Sequence, residues 1–239
     1  FSMSANSRSV PVPLSGGSTS KENWRSAVML LIRFATAMRV GVVFLRCFEL
    51  DMAKAFFHSN NKTDADIACA MDCGVGYFVA DNIEEVKAVE REAAARGITQ
   101  KMLLRITPGI DTHTYAAVNT GKVDSKFGSA IETGQAEDIT VFTLSQPHVK
   151  LAGFHCHVGS QVFGEDVFER AAVIMLEFIA KMKEEHGYAA DILDLGGGYG
   201  VRYVESDPQI DIAAKIDSVA AAVHSGRRIR RKTAKNMAL

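Results

Sequence analysis

VKLAGFHCHVGSQVFG, Val149 to Gly164, and DILDLGGGYG, Asp191 to Gly200, decide the fold of this chain. Each opens as a short apolar strand and runs straight into a polar or glycine cluster. Between them, from Glu165 to about His186, apolar residues recur at helical spacing. Strand, helix, strand is the βαβ unit of a parallel α/β fold. In such folds ligands sit at the carboxyl ends of the strands, where both clusters lie.

The same alternation extends towards the N-terminus. AFFH, Ala55 to His58, reads as a strand followed by the polar SNNK at Ser59 to Lys62. Asp64 is placed to cap a helix over Ala65 to Cys73 that ends at Gly74. GYFVAD, Gly76 to Asp81, is the next strand, and Asn82 caps a helix through Arg96 with Glu84 and Glu85 in its first turn. KMLLRITPG, Lys101 to Gly109, is a third strand. It leads into a long polar loop, Ile110 to Gly128, holding His113, Tyr115, Lys122, Asp124, Ser125 and Lys126. Loops of that length in compact folds are commonly functional. A helix from about Gly134 to Leu144 precedes the strand at Lys150 to His155, and a last helix is expected over Ile210 to about His224. Five strands alternating with helices suit a doubly wound sheet or a (β/α)8 barrel. Barrels typically take about 250 residues and eight strands. Five strands make an incomplete one.

Composition narrows the function classes. The 239 residues are 47% hydrophobic and 23% charged, which excludes a fibrous or wholly disordered chain. A net charge of -1 gives no global attraction for nucleic acid or an anionic membrane, and neither partner is expected. Cys47, Cys69, Cys73 and Cys156 form no disulfide framework, so the expected location is a reducing cytoplasm. Residues 1 to 23 are rich in Ser, Gly and Pro and read as disordered. Arg25 to Leu50 is apolar, but Arg33, Arg39 and Arg46 interrupt it and argue against a membrane span. From Gly226 the tail GRRIRRKTAKNMAL is basic, has no aromatic residue and reads as disordered.

Each chemical candidate has a plain structural alternative. Gly196, Gly197 and Gly198 allow positive φ and close backbone approach, so their N–H groups are placed to cradle a phosphate; a tight βα turn without a ligand needs the same residues. The run is neither a GxGxxG fingerprint nor a Walker motif. Ser160 can donate to the same anion. His157 can stack on a planar ring, or be structural. Period two places His155 and His157 on one strand face, open to a metal, but no carboxylate or cysteine in either motif clearly completes that pair, and no metal is expected. Arg105 can balance an anion or form an ion pair across strand ends. Capping alone is enough to explain Asn60, Asn61 and Lys62, while Lys126 is either a loop ion pair or a group near the ligand.

Taken together the motifs resemble the diaminopimelate decarboxylase family, pyridoxal-phosphate enzymes built on an alanine-racemase-like barrel. The resemblance is carried by FHSNNKTDADIA (57–68), GVGYFVADNIEEV (74–86), LLRITPGI (103–110), HTYAAVNTGKVDSKFG (113–128), GFHCHVGSQVF (153–163) and LDLGGGYGVRY (193–203). It implies that His157 stacks on the pyridoxal ring, that Ser160 and Gly196 to Gly198 hold the cofactor phosphate, and that Arg105 lines the pocket. It further implies an amino-acid substrate, meso-diaminopimelate, giving lysine and carbon dioxide, and a homodimer in the full-length family.

The resemblance is incomplete. The family's Schiff-base lysine sits in an AVKAN-like motif that this sequence lacks, and the only lysine before Lys54 is Lys21. The EPGR strand and the C-terminal β domain are also missing. The expectation is therefore a partial (β/α)8 barrel over 51–225, flanked by an unmatched 1–50 and a basic 226–239. No catalytic residue is assigned, and pyridoxal phosphate is expected to bind weakly or not at all. The alternative function is a non-catalytic barrel fragment or vestigial phosphate-binding module.

Overall fold

Apolar runs pair where the sequence places them. In the computed structural model, which describes residues 51–110, 127–164 and 166–236, six parallel strands form one sheet. They are β1 (Phe56–His58), β2 (Tyr77–Ala80), β3 (Gln100–Thr107), β4 (Ser129–Ala130), β5 (Val149–His155) and β6 (Ile192–Asp194). Between and after them lie α1 (Asp64–Asp72), α2 (Ile83–Arg96), α3 (Gln135–Leu144), α4 (Val167–His186) and α5 (Ile212–Asn236). The leader with Lys21, the apolar segment to Leu50, and the loop residues His113, Tyr115, Lys122, Asp124, Ser125 and Lys126 fall outside the described residues.

Strand order decides between the two architectures. The sheet runs β1-β2-β3-β5-β6, with β4 pairing the far end of β3. Order in space follows order in sequence and never reverses. A doubly wound sheet requires a reversal, so this is the singly wound order of a barrel, left open. Right-handed crossovers then put the helices on one face.

The two faces carry different residues. Phe57, Phe78, Met102, Leu104 and Phe154 belong to the large core, with Ile67, Val86, Val89, Ile139, Met175 and Phe178 from the helices. Each such side chain, fully buried, contributes roughly 1.5–3 kcal/mol. On the other face Val79, Leu103 and Ala152 pack with Phe56, Tyr77 and Ile192. That face is the inside of the curl, and towards the carboxyl ends it turns polar with His58, Arg105, His155 and Asp194.

Three local details differ from expectation. The cap of α1 is Thr63 and not Asp64. The Thr63 hydroxyl accepts the Asp66 N–H at 3.2 Å while the Asp66 carboxylate accepts the Thr63 N–H at 3.1 Å. That reciprocal box satisfies two end groups at once and leaves Asp64 to pair with Arg91 at 2.6 Å. The two-residue β4 is too short to carry a period. Finally, α5 runs on to Asn236, through the basic tail that composition reads as disordered; arginine, lysine and alanine are good helix formers even in a charged run. No helix among the described residues is long and apolar enough to cross a membrane.

Candidate functional site

The loops leaving β5 and β6 are laced together by their own backbones. Cys156 N donates to Asp194 O at 2.9 Å, Val162 N to Gly198 O at 2.9 Å, and Gly200 N to Val162 O at 2.9 Å. The Gln161 side chain closes the lattice, donating to Val201 O and accepting from Val201 N, both at 2.9 Å. Gln161 itself holds φ 56, a left-handed conformation that side chains other than glycine seldom adopt. The two motifs that decided the fold thus form one continuous rim.

Glycine at positions 196 and 198 is required by that rim. A Cβ at Gly196 would stand 2.5 Å from Cys156 O, and one at Gly198 only 1.8 Å from Gly159 O. Both residues hold positive φ, +72 and +101. The space a side chain would need is filled by the neighbouring loop. Close loop packing is therefore their first role. His157 is buried against the same turn, its Nδ1 3.1 Å from the Cβ position of Gly196.

The N–H groups of the turn are not equivalent. Asp194 Oδ1 accepts the Gly196 N–H at 2.8 Å, so that donor is spent within the protein. The N–H groups of Gly197 and Gly198 take no partner among the described residues. Ser160 is exposed on the facing loop. The structure therefore brings together His157, the loop bearing Ser160, and Gly197 and Gly198 at adjacent strand ends.

Arg105 leans towards the end of β2, away from the glycine turn. It is the register partner of His155, but its Nη1 lies 3.4 Å from Asp81 Oδ1 and its guanidinium stacks 4.6 Å from the Phe127 ring. Asp81 also accepts the Gly128 N–H at 3.1 Å. The ion pair across strand ends is present.

Two clusters escaped the sequence. Lys62 is no mere loop residue: its Nζ donates to Ser59 O at 2.6 Å, Val79 O at 2.7 Å and Glu85 Oε2 at 3.1 Å. Burial lowers its pKa while Glu85 opposes the shift. A lowered ammonium pKa suits a nucleophile, but all three of its donors are engaged. Inside the curl, His155 Nδ1 stands 2.9 Å from Asp194 Oδ2, and His58 Nε2 3.8 Å from the same oxygen. The carboxylate that the His155–His157 pair lacked belongs to Asp194, and the second imidazole to His58, while His157 points to the glycine turn. Burial raises the pKa of Asp194, but His155, the Gly196 N–H and His58 more than offset it and hold the carboxyl below its ordinary range. The Cys156 thiol is pushed up to about 12 by burial and by Asp194, so it stays protonated and is no nucleophile.

Comparison with known proteins agrees with this architecture. Residues 40–234 match the family described as pyridoxal-dependent decarboxylase, pyridoxal binding domain. The chain is 38% identical over 173 residues to the diaminopimelate decarboxylase of Staphylococcus aureus, covering 72% of this chain and 39% of that one. It is 36% identical over 188 residues to the diaminopimelate decarboxylase of Halalkalibacterium halodurans, covering 79% of this chain and 41% of the relative. The crystal structure of diaminopimelate decarboxylase from M. jannaschii in co-complex with L-lysine superposes with a TM-score of 0.71 at 23% identity, over 87% of this chain and 48% of that one. The chain thus spans about two-fifths of the length of these curated relatives.

Proposed function

The chain belongs to the pyridoxal-dependent decarboxylase family, and from that membership we propose that it carries the phosphate- and ring-holding side of a pyridoxal phosphate site of the diaminopimelate decarboxylase type. The observation that carries this reading is the laced rim, where a buried imidazole, a loop bearing an exposed serine and two N–H groups lie at neighbouring strand ends. In this reading the N–H groups of Gly197 and Gly198 and the Ser160 hydroxyl take the phosphate, and His157 packs on the ring. Gly196 contributes by its shape, since Asp194 holds its N–H and thereby the turn. Arg105, anchored by Asp81, keeps a positive charge on the inner rim. The donor set fits a phosphate monoester and a planar ring. Bound there, pyridoxal phosphate would supply an electron-withdrawing ring, the electron sink that decarboxylation of an amino acid requires. The reaction assigned to the site type is conversion of meso-diaminopimelate to lysine, in a homodimer and in a cytoplasmic setting.

This chain alone is proposed to bind without turning over. Lys62 is the one buried lysine among the described residues, and its ammonium is fully engaged. Three hydrogen bonds to a phosphate with a net gain of about 1–1.5 kcal/mol each sum to about 3–4.5 kcal/mol, a Kd in the millimolar range. Borohydride reduction of the chain with pyridoxal phosphate, followed by peptide mapping, tests this. The expected result is no stoichiometric lysine adduct, together with saturable millimolar binding that perturbs the amides of Gly197 and Gly198. A stoichiometric adduct, or binding that leaves those amides unmoved, overturns it.

A further inference from the structure

We propose that His58, His155 and Asp194 form a binding site for a divalent first-row metal ion, zinc foremost, inside the curl of the sheet. Ligand atoms of the three residues all lie within 4.8 Å of one another. The His155 Nδ1 to Asp194 Oδ2 separation is 2.9 Å and the His58 Nε2 to Asp194 Oδ2 separation is 3.8 Å. Zinc–nitrogen and zinc–oxygen bonds of about 2.0–2.1 Å in a tetrahedron put ligand atoms about 3.3 Å apart, between those two values. The imidazole rings stand 4.6 Å apart at 73°, so their nitrogens approach one point from different directions.

The surroundings favour a cation over a simple hydrogen bond. His155 is 2% exposed, yet its Nδ1 and Asp194 Oδ2, at hydrogen-bonding distance, are not aligned as donor and acceptor. Two imidazole nitrogens converge on one carboxylate oxygen, an arrangement in which one bound cation takes all three atoms as ligands. Asp194 is also braced from behind, because its other oxygen takes the Gly196 N–H at 2.8 Å. Such outer partners fix a metal-ligating carboxylate in place. Two imidazoles and one carboxylate leave a coordination position open, as metal sites that bind a further small ligand do. A second group, Glu137, Glu185 and His186, also lies close together, but it is on the surface. There Lys181 Nζ and His186 Nε2 already occupy the two Glu137 oxygens at 2.6 and 2.8 Å.

The site does not rest on pyridoxal phosphate, and its test uses none. The full chain, treated with chelator and dialysed, is titrated with Co2+ by visible absorption and with Zn2+ by competition against a chromophoric chelator. One equivalent is expected to bind with a Kd at or below about 10 μM, with paramagnetic shifts on the ring protons of His58 and His155. His155→Ala and His58→Ala are expected to weaken binding by about 100-fold or more, whereas His58→Cys, which restores a ligand, recovers most of it. A purely structural role for His58 predicts no such rescue. Absence of a saturable equivalent in the wild-type chain, equal binding in the alanine variants, or shifts confined to His186 overturns the proposal. Because the wild-type ring shifts are read directly, a variant that fails to fold does not shelter it.

Discussion

His58 Nε2, on the first strand of the sheet, lies 3.8 Å from Asp194 Oδ2 on the last. Four strand spacings of about 4.8 Å would separate β1 from β6 by about 19 Å in a flat sheet. An imidazole and a carboxylate cannot bridge that gap, so the sheet is curled as part of a barrel wall. The consequence is chemical: residues 136 positions apart in sequence share one oxygen.

The buried Lys62–Glu85 pair is a stability hub. Their side chains are 1% and 7% exposed, and Glu85 Oε2 also accepts the Asp81 N–H at 2.8 Å. Glu85→Ala leaves a buried ammonium without its counter-charge and is expected to cost about 3–5 kcal/mol. Lys62→Met with Glu85→Leu, which removes both charges, is expected to cost less than the single change. Urea midpoints of the three proteins check this ordering.

Gly198→Ala is expected to destabilise the chain, because its Cβ would meet Gly159 O at 1.8 Å with φ at +101. The backbone strain alone is worth about 1–3 kcal/mol, before the clash is added. Ser160→Ala, on an exposed position, is expected to leave the thermal midpoint unchanged and to weaken pyridoxal phosphate binding about fivefold, the loss of one hydrogen bond of about 1 kcal/mol. Calorimetry and amide-shift titration separate the two effects.

Glu137 links α3 to α4 through Lys181 and His186. Its carboxyl is pulled from the ordinary 4.5 to about 2, first by Lys181 and then by His186. A folded value below the unfolded one stabilises the fold fully above about 4.5, and that contribution is lost as pH falls towards about 2. Lys181→Met is expected to move the Glu137 titration upward and to narrow the acid-stability gap, and added salt to do the same in part, since the pair is exposed. Carboxyl chemical shifts against pH give the readout.

Association is expected at raised concentration. Among the described residues no strand pairs with the outer edge of β1 or of β6. Val201, Tyr203, Val204, Ile212 and Ile216 are exposed, Tyr203 by 79%. Open edges and apolar patches promote contact between chains. Sedimentation velocity is expected to show larger species that diminish in Tyr203→Ser with Ile216→Ser; a concentration-independent monomer contradicts this.

Local chemistry was legible along the chain. The apolar runs at Phe56, Tyr77, Met102, Leu151 and Ile192 became strands, and Asn82 capped its helix by accepting the Glu85 N–H at 3.0 Å. The motif series pointed to the family because each motif is a contiguous string, and strings survive in a sequence. Cap choice went to Thr63 over Asp64 because Asp66, three residues after Thr63, returns the bond in a local capping box.

What the sequence by itself determined is the alternation of strands and helices, the glycine turn after β6, and the imidazoles at the end of β5 and just beyond it, since backbone preference and side-chain period are properties of neighbours in the chain. Barrel order followed from the motif series, and the strand order bears it out; only the tertiary structure decided that Asp194 spends the Gly196 N–H, that Lys62 is buried and engaged, and that His58 joins His155 across the curl. Those outcomes depend on strand order and curvature, which arise from packing between distant segments and leave no periodic mark in the residues that meet.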